Sequence, residues 1–312
     1  MGIIIRTTQG WEPVEKRVGL VLSGGGARGL AHLGVLSVLE EYRIPIDLVA
    51  GASFGSIVGG LYAFGYSSSR LLALTKDFFA SAEDGTINRK VLWDRAEEAF
   101  KRELGIVQIE DAHLPLFILS VDLSEEDIRI FSHGSLFTAI RASSAFPGLF
   151  DPLFHEGHVY IDGGILNSML LKIAHDNGAD IILFSDVSYM GIVYRRKWIN
   201  AILDALLYCV PGRFSRPLRH PNHMSEFKLI PRILPIVKRY KKECGHYRRD
   251  LADITIAPDL EGLRPLEFGK FDYAFRRGRD AALKQIAAIH RVLEPMPAEH
   301  GPTDAKSTMN QG

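Results

Sequence analysis

The chain has 312 residues, 46% of them apolar, with 37 Lys and Arg against 37 Asp and Glu. That is enough for one sizeable core, and the zero net charge excludes the overall basic footprint of a nucleic-acid binder. Two cysteines, Cys209 and Cys244, cannot build a disulfide framework or a Cys-rich zinc site and fit a reducing compartment.

Residues 1–16 form an N-terminal extension without the charged start and apolar run of a signal peptide. The opening Met-Gly is followed at position 6 by Arg6, which breaks the myristoylation pattern. No run of about 18 apolar residues is present, so no bilayer span is expected. The expected setting is cytoplasmic.

Residues 17–23 are a Val- and Leu-rich run that stops at glycines and predict a buried strand. A helix is predicted over 30–42, broken at Pro45. A short strand follows over 46–50 and a helix over 54–64. Strand, turn, helix, strand, turn, helix in that order predicts a parallel sheet with crossover helices. Residues 69–80 and 89–103 read as helices, 116–123 and 127–131 as strands joined around Ser124, and 134–144 as a short helix. A strand over 159–161 ends at Asp162-Gly163-Gly164. Then come a helix over 168–177, a buried strand over 180–187, a last strand over 254–257 and a closing helix over 273–292. One domain over 17–294 is expected, with residues 295–312 read as a disordered tail.

Residues 189–250 stand apart. They hold 14 Lys and Arg against four acids, and the run 198–210 is apolar except for Asn200 and Asp204. A basic, partly apolar insert of this kind suits peripheral contact with an anionic membrane surface, or a helix packed over the site with a solvated rim.

Two glycine-rich turns carry the chemistry. Gly51-Ala52-Ser53-Phe54-Gly55 is a G-x-S-x-G pattern between an apolar strand and a helix. Such a turn exposes a serine hydroxyl, with small residues two before and two after it to avoid backbone clashes. Gly24-Gly25-Gly26-Ala27-Arg28-Gly29 precedes a helix, and its glycines can turn successive N–H groups toward one developing oxyanion. Arg28 adds a fixed charge for an oxyanion or a substrate phosphate. The same loop matches the dinucleotide fingerprint through Gly24, Gly26 and Gly29. That reading needs an acid closing the second strand, whereas Asp47 opens it. A serine needs a base. Asp162 is the leading candidate, since the following glycines leave its carboxylate accessible, although Asp-Gly-Gly alone also describes a plain turn. His175, His220, His223 and His246 remain alternatives by chain order, and His32 reads as a packing residue. No cluster of His, Cys and acidic residues has metal-ligand spacing, so neither metal nor other cofactor is expected.

GGGARG, GASFG and DGG, in this order and separation, resemble the patatin-like phospholipase family in its bacterial branch. The likeness includes AHLGVLSVLEE, IRASSAFPGLFDP and GADIILFSDVS, and resumes at LADITIAPDLEGLRPLEF. The resemblance implies a three-layer α/β/α sandwich with a mainly parallel central sheet. It also implies a Ser–Asp dyad, with Ser53 as nucleophile and Asp162 as base, and an oxyanion hole from Gly24, Gly25, Gly26 and Arg28. The implied activity is metal-free hydrolysis of acyl esters of phospholipids and related lipids. Ala52 stands where the family often has Thr, and Asn167-Ser168-Met169-Leu170 replaces the family's usual Asn-Asn or Asn-Pro and Leu-Pro after DGG. A catalytically idle lipid-binding member and a nucleotide-cofactor enzyme are the alternative readings.

Overall fold

The computed structural model describes residues 4–7, 10–13, 16–80, 89–147, 149–188, 226–243 and 251–294. The apolar run at 198–210 and the tail at 295–312 lie outside the described residues. A small hairpin comes first, β1 (Ile4–Thr7) paired antiparallel with β2 (Gly10–Pro13). The main sheet begins with β3 (Val18–Leu22), followed by α1 (Leu30–Glu41), β4 (Leu48–Ala52) and α2 (Phe54–Ala63). Helices α3 (Ser68–Ala80) and α4 (Arg89–Leu104) lead to β5 (Leu116–Asp122), β6 (Asp127–Phe131) and α5 (Leu136–Ser143). Then come β7 (Leu153–His155), β8 (His158–Asp162), α6 (Ser168–Asp176) and β9 (Ile181–Ser185). The described chain closes with α7 (Glu226–Glu243), β10 (Ile254–Ile256), α8 (Phe271–Leu283) and α9 (Ile286–Leu293).

Strands β10, β9, β3, β4 and β5 are parallel neighbours in that order, and β6, β7 and β8 pair antiparallel. The expected α/β/α sandwich is therefore present. Its central strands are buried on both faces, so alternate residues feed different cores. Val18, Leu20 and Leu22 of β3 pack with α1, α8 and α9, while Val21 packs on the other side with α6 and α7. Each fully buried leucine in these layers contributes about 2 kcal/mol, which anchors the loops at the strand ends.

The closing helix is broken at 284–285 into α8 and α9. The strand expected over 46–50 is displaced by two residues and runs up to the serine turn, because Asp47 is held by β3. Its carboxylate accepts Val18 N–H at 2.6 Å, and its N–H donates to Val18 O at 2.8 Å.

One pairing detail positions the site. Residues 118–119 of β5 pair with both β4 and β6, and residues 120–122 pair with both β6 and β8. A strand has two edges, so β6 occupies one, and β4 and β8 share the other end to end. Because β4 is parallel and β8 antiparallel to β5, the two run toward each other. Ala52 ends β4 beside Leu119, and Asp162 ends β8 beside Ser120.

Candidate active site

The head-on strands bring together residues 109 positions apart. Ser53 Oγ donates to Asp162 Oδ2 at 2.7 Å. Ser53 has φ 52° and ψ −128°, so β4 turns sharply into α2 at this residue. The turn is possible because Gly55 lies against β3. A Cβ there would sit 2.3 Å from Leu22 O. Ser53 N–H donates to Ser143 Oγ at 2.9 Å, and Ser143 Oγ–H donates to Leu119 O at 2.6 Å, which ties the turn to the middle of β5.

Asp162 is held equally closely. Its Oδ1 accepts Gly164 N–H at 2.6 Å, and its own N–H donates to Ala145 O at 3.0 Å. After Asp162 the chain passes directly over Leu119, where a Cβ on Gly163 would lie 2.0 Å from Leu119 O. Asp162 is only 2% exposed. Burial pushes its pKa up to about 7, against the lowering effect of the bonds from Ser53 and Gly164. An ordinary carboxylate is a weak base for an alcohol. The fold itself supplies the desolvation that makes this one stronger.

The glycine loop packs against the Ser53–Asp162 pair. A Cβ on Gly24 would lie 3.0 Å from both Ser53 Cβ and Gly164 Cα. The expected donor set is narrower in the structure. Gly24 N–H donates to Asn167 Oδ1 at 2.7 Å, so its donor is already used. Arg28 is turned toward the surrounding loops. Its side chain is buried, with Nε donating to Val187 O at 2.9 Å and Nη1 to Leu260 O at 2.9 Å and Leu263 O at 3.3 Å. A buried guanidinium must satisfy several donors at once. This one bonds carbonyls of the surrounding loops, so it braces the glycine loop. Its backbone N–H also turns inward, to Gly25 O at 3.2 Å. Gly25 and Gly26 are the remaining candidate donors. The dinucleotide reading needs a helix start open to a pyrophosphate. Here Ala27 N–H donates to Pro265 O at 2.7 Å, and a Cβ on Gly26 would lie 2.4 Å from the same oxygen.

His32 supports the loop from below. Its Nε2 must donate to Ser23 O (2.9 Å), since a carbonyl only accepts, so Nδ1 accepts from the Ser185 hydroxyl (2.8 Å). Burial lowers its pKa to about 4, so it is neutral at physiological pH. Val187 N–H donates to Ser23 Oγ at 2.9 Å, closing a network that joins the ends of β3 and β9 to α1. His175 lies on the exposed side of α6 beside Asp176, and His220, His223 and His246 lie outside the described residues. Among the described residues, no group of three or more His, Cys, Asp and Glu is placed to hold a metal ion.

Of the basic insert, α7 is described. It buries Leu229, Ile233, Ile236, Val237 and Tyr240 against α6 and its neighbours and leaves Lys238, Arg239 and Lys242 exposed. Arg232 Nη2 donates to Leu123 O at 2.5 Å, and Arg239 Nη2 to Glu126 O at 2.6 Å, fixing α7 over the β5–β6 connection. Among the described residues, no helix is long and apolar enough to cross a membrane.

Ser143 and Asn167 carry much of this geometry, yet neither was singled out as a site residue from the sequence. The sequence signals are that Ser143 lies within IRASSAFPGLFDP and that Asn167 keeps the first Asn of the family pattern, which is departed from at Ser168.

A family model described as patatin-like phospholipase matches residues 20–175. Lysophospholipase NTE1 of Candida glabrata is 30% identical over 274 residues, which are 84% of this chain and 16% of that protein. Patatin-like phospholipase domain-containing protein 6 of Homo sapiens is 37% identical over 307 residues, 92% of this chain and 22% of that protein. The chain thus spans about a fifth of the length of these relatives. Among solved structures, VipD from Legionella pneumophila aligns over 92% of this chain and 70% of that chain, at 16% identity and a TM-score of 0.48.

Proposed function

This chain belongs to the patatin-like phospholipase family, and from that premise we propose that it hydrolyses acyl esters of phospholipids and related lipids. The observation that carries the reading is the 2.7 Å bond from Ser53 Oγ to a buried Asp162 at a strand-to-helix turn. Asp162 takes the hydroxyl proton as Ser53 Oγ bonds to the ester carbonyl carbon. The tetrahedral oxyanion is received by the Gly25 and Gly26 N–H groups, and the proton on Asp162 passes to the departing alcohol. Water, deprotonated by Asp162, then attacks the acyl-Ser53 ester, and the carboxylic acid leaves with Ser53 restored. The names of the relatives include a lysophospholipase, so lysophospholipids are natural first substrates to test.

Two assays together test this reading. The expected result is turnover of lysophosphatidylcholine and a p-nitrophenyl acyl ester, with a fluorophosphonate probe mapping to Ser53. No turnover and no label at Ser53 would leave the idle, lipid-binding reading in its place.

The second element is peripheral membrane contact. It is motivated by the basic side of α7, where Lys238, Arg239 and Lys242 are exposed while the apolar side is buried. Among its described side chains this helix offers charge to a surface, and each basic residue near an anionic surface contributes about 1 kcal/mol. Co-sedimentation is expected with anionic but not neutral vesicles. It should weaken at high salt and in a Lys238→Glu/Lys242→Glu variant. Equal binding to both vesicle types, indifferent to salt, would remove the electrostatic contact.

A further inference from the structure

Asn167 ends the turn that carries Asp162 and opens α6. Asn is among the residues best suited to cap its own helix, yet its side chain makes no capping bond. The carboxamide instead spans 143 residues to grip one glycine at two points. Oδ1 accepts Gly24 N–H at 2.7 Å, and Nδ2 donates to Gly24 O at 3.3 Å.

The two bonds act on different peptide groups. Gly24 N–H belongs to the peptide that follows Ser23, and Gly24 C=O to the peptide that contains Gly25 N–H. A trans peptide is planar, with its C=O and N–H on opposite sides. Holding the Gly24 carbonyl toward Asn167 therefore directs Gly25 N–H away from it. Three residues before Asn167 in the same turn, Gly164 donates to Asp162 Oδ1 at 2.6 Å and packs against Gly24. One short turn thus touches both the base and the first glycine of the oxyanion loop.

We infer that Asn167 is a positioning residue that sets the direction of the Gly25 N–H relative to Ser53 and Asp162. The inference deepens the hydrolase reading and rests on it for its catalytic consequence. Misplacing a preorganised donor costs transition-state stabilisation more than ground-state binding.

Two variants separate the halves of the grip. Asn167→Ala removes both bonds. Asn167→Asp keeps an acceptor for Gly24 N–H but loses the donor to Gly24 C=O. Both are expected to lower kcat about 10- to 100-fold per folded molecule, with KM changed less than about threefold. Amide exchange in the peptide covering residues 23–27 should quicken in Asn167→Ala, while exchange in β3 and β9 stays as in the parent. A kcat within twofold of the parent in both variants overturns the inference. So does unchanged exchange at Gly24–Gly26, or a loss accounted for entirely by unfolded protein. A parent without turnover sinks the hydrolase reading itself, and the exchange result then decides on its own whether Asn167 holds the loop. Should Asn167→Ala not fold, the kcat of Asn167→Asp carries the decision.

Discussion

Asp162→Asn is expected to abolish turnover and, at the same time, to make the protein more stable at pH 8. The amide cannot take the Ser53 proton, so the loss should match that of removing the nucleophile. The gain in stability follows from the buried carboxyl. Its folded pKa is about 7, above the unfolded value near 3.9, so the folded state holds the proton more tightly. The associated stabilisation is fully present below about pH 4 and is lost as pH rises through 7. Over that window the parent forfeits up to about 4 kcal/mol. Asparagine escapes this loss, while its Oδ1 still accepts Gly164 N–H and its Nδ2 can donate to Ser53 Oγ. Chemical denaturation at pH 4 and pH 8 checks it: the variant should match the parent at the lower pH and exceed it at the higher. Equal stability at both would mean that Asp162 ionises without penalty. The same pKa sets the rate profile of the parent. Its kcat/KM should rise about tenfold per pH unit below 7 and level off above.

Replacing Ser53 separates chemistry from backbone strain. Ser53→Ala and Ser53→Gly should each lower kcat by about 10⁴-fold or more and abolish probe labelling. The two should differ in stability. The φ of 52° at position 53 is costly for any residue with a Cβ and easy for glycine. Relief of that strain outweighs the larger entropy of a glycine in the unfolded chain. Ser53→Gly is therefore expected to be more stable than Ser53→Ala by about 1 kcal/mol, a difference that denaturation midpoints would read. An alanine variant at least as stable as the glycine variant would show that the turn relaxes and stores no strain.

These two positions were legible because their signals are local. A serine between small residues and an Asp before two glycines are each visible within five residues. The parallel core was legible for a related reason: its strands are unbroken apolar runs that end at turns. What the sequence hid depends on distant partners. Arg28 reads as a fixed charge for an oxyanion or a substrate phosphate, and the carbonyls of Val187, Leu260 and Leu263 that it bonds lie 159 to 235 positions away. Ser143 and Asn167 bond backbone groups 90 and 143 residues away, and no spacing rule reaches that far. Strand β7 is three residues long with one buried side chain, Leu153, too little for an alternation signal. Helix α7 contains Pro231 and Pro235, which read as breaks. Both lie on its exposed side, where water can take the carbonyls they leave unpaired. The buried residues from Leu229 to Tyr240 hold the helix in place.

Strand β5 supplies neither Ser53 nor Asp162, yet it works as a ruler for both. The ends of β4 and β8 are registered on consecutive residues, Leu119 and Ser120, so one step of about 3.3 Å along β5 measures the gap between the two strand ends. Side chains in β5 can drift without altering that step. An inserted or deleted residue cannot be absorbed in the same way, because it moves the two ends by a whole step and turns following side chains to the other face. Selection for hydrolysis would therefore tolerate changes of identity in this strand far more readily than changes of length, and would act on the spacing of a segment that has no part in the chemistry.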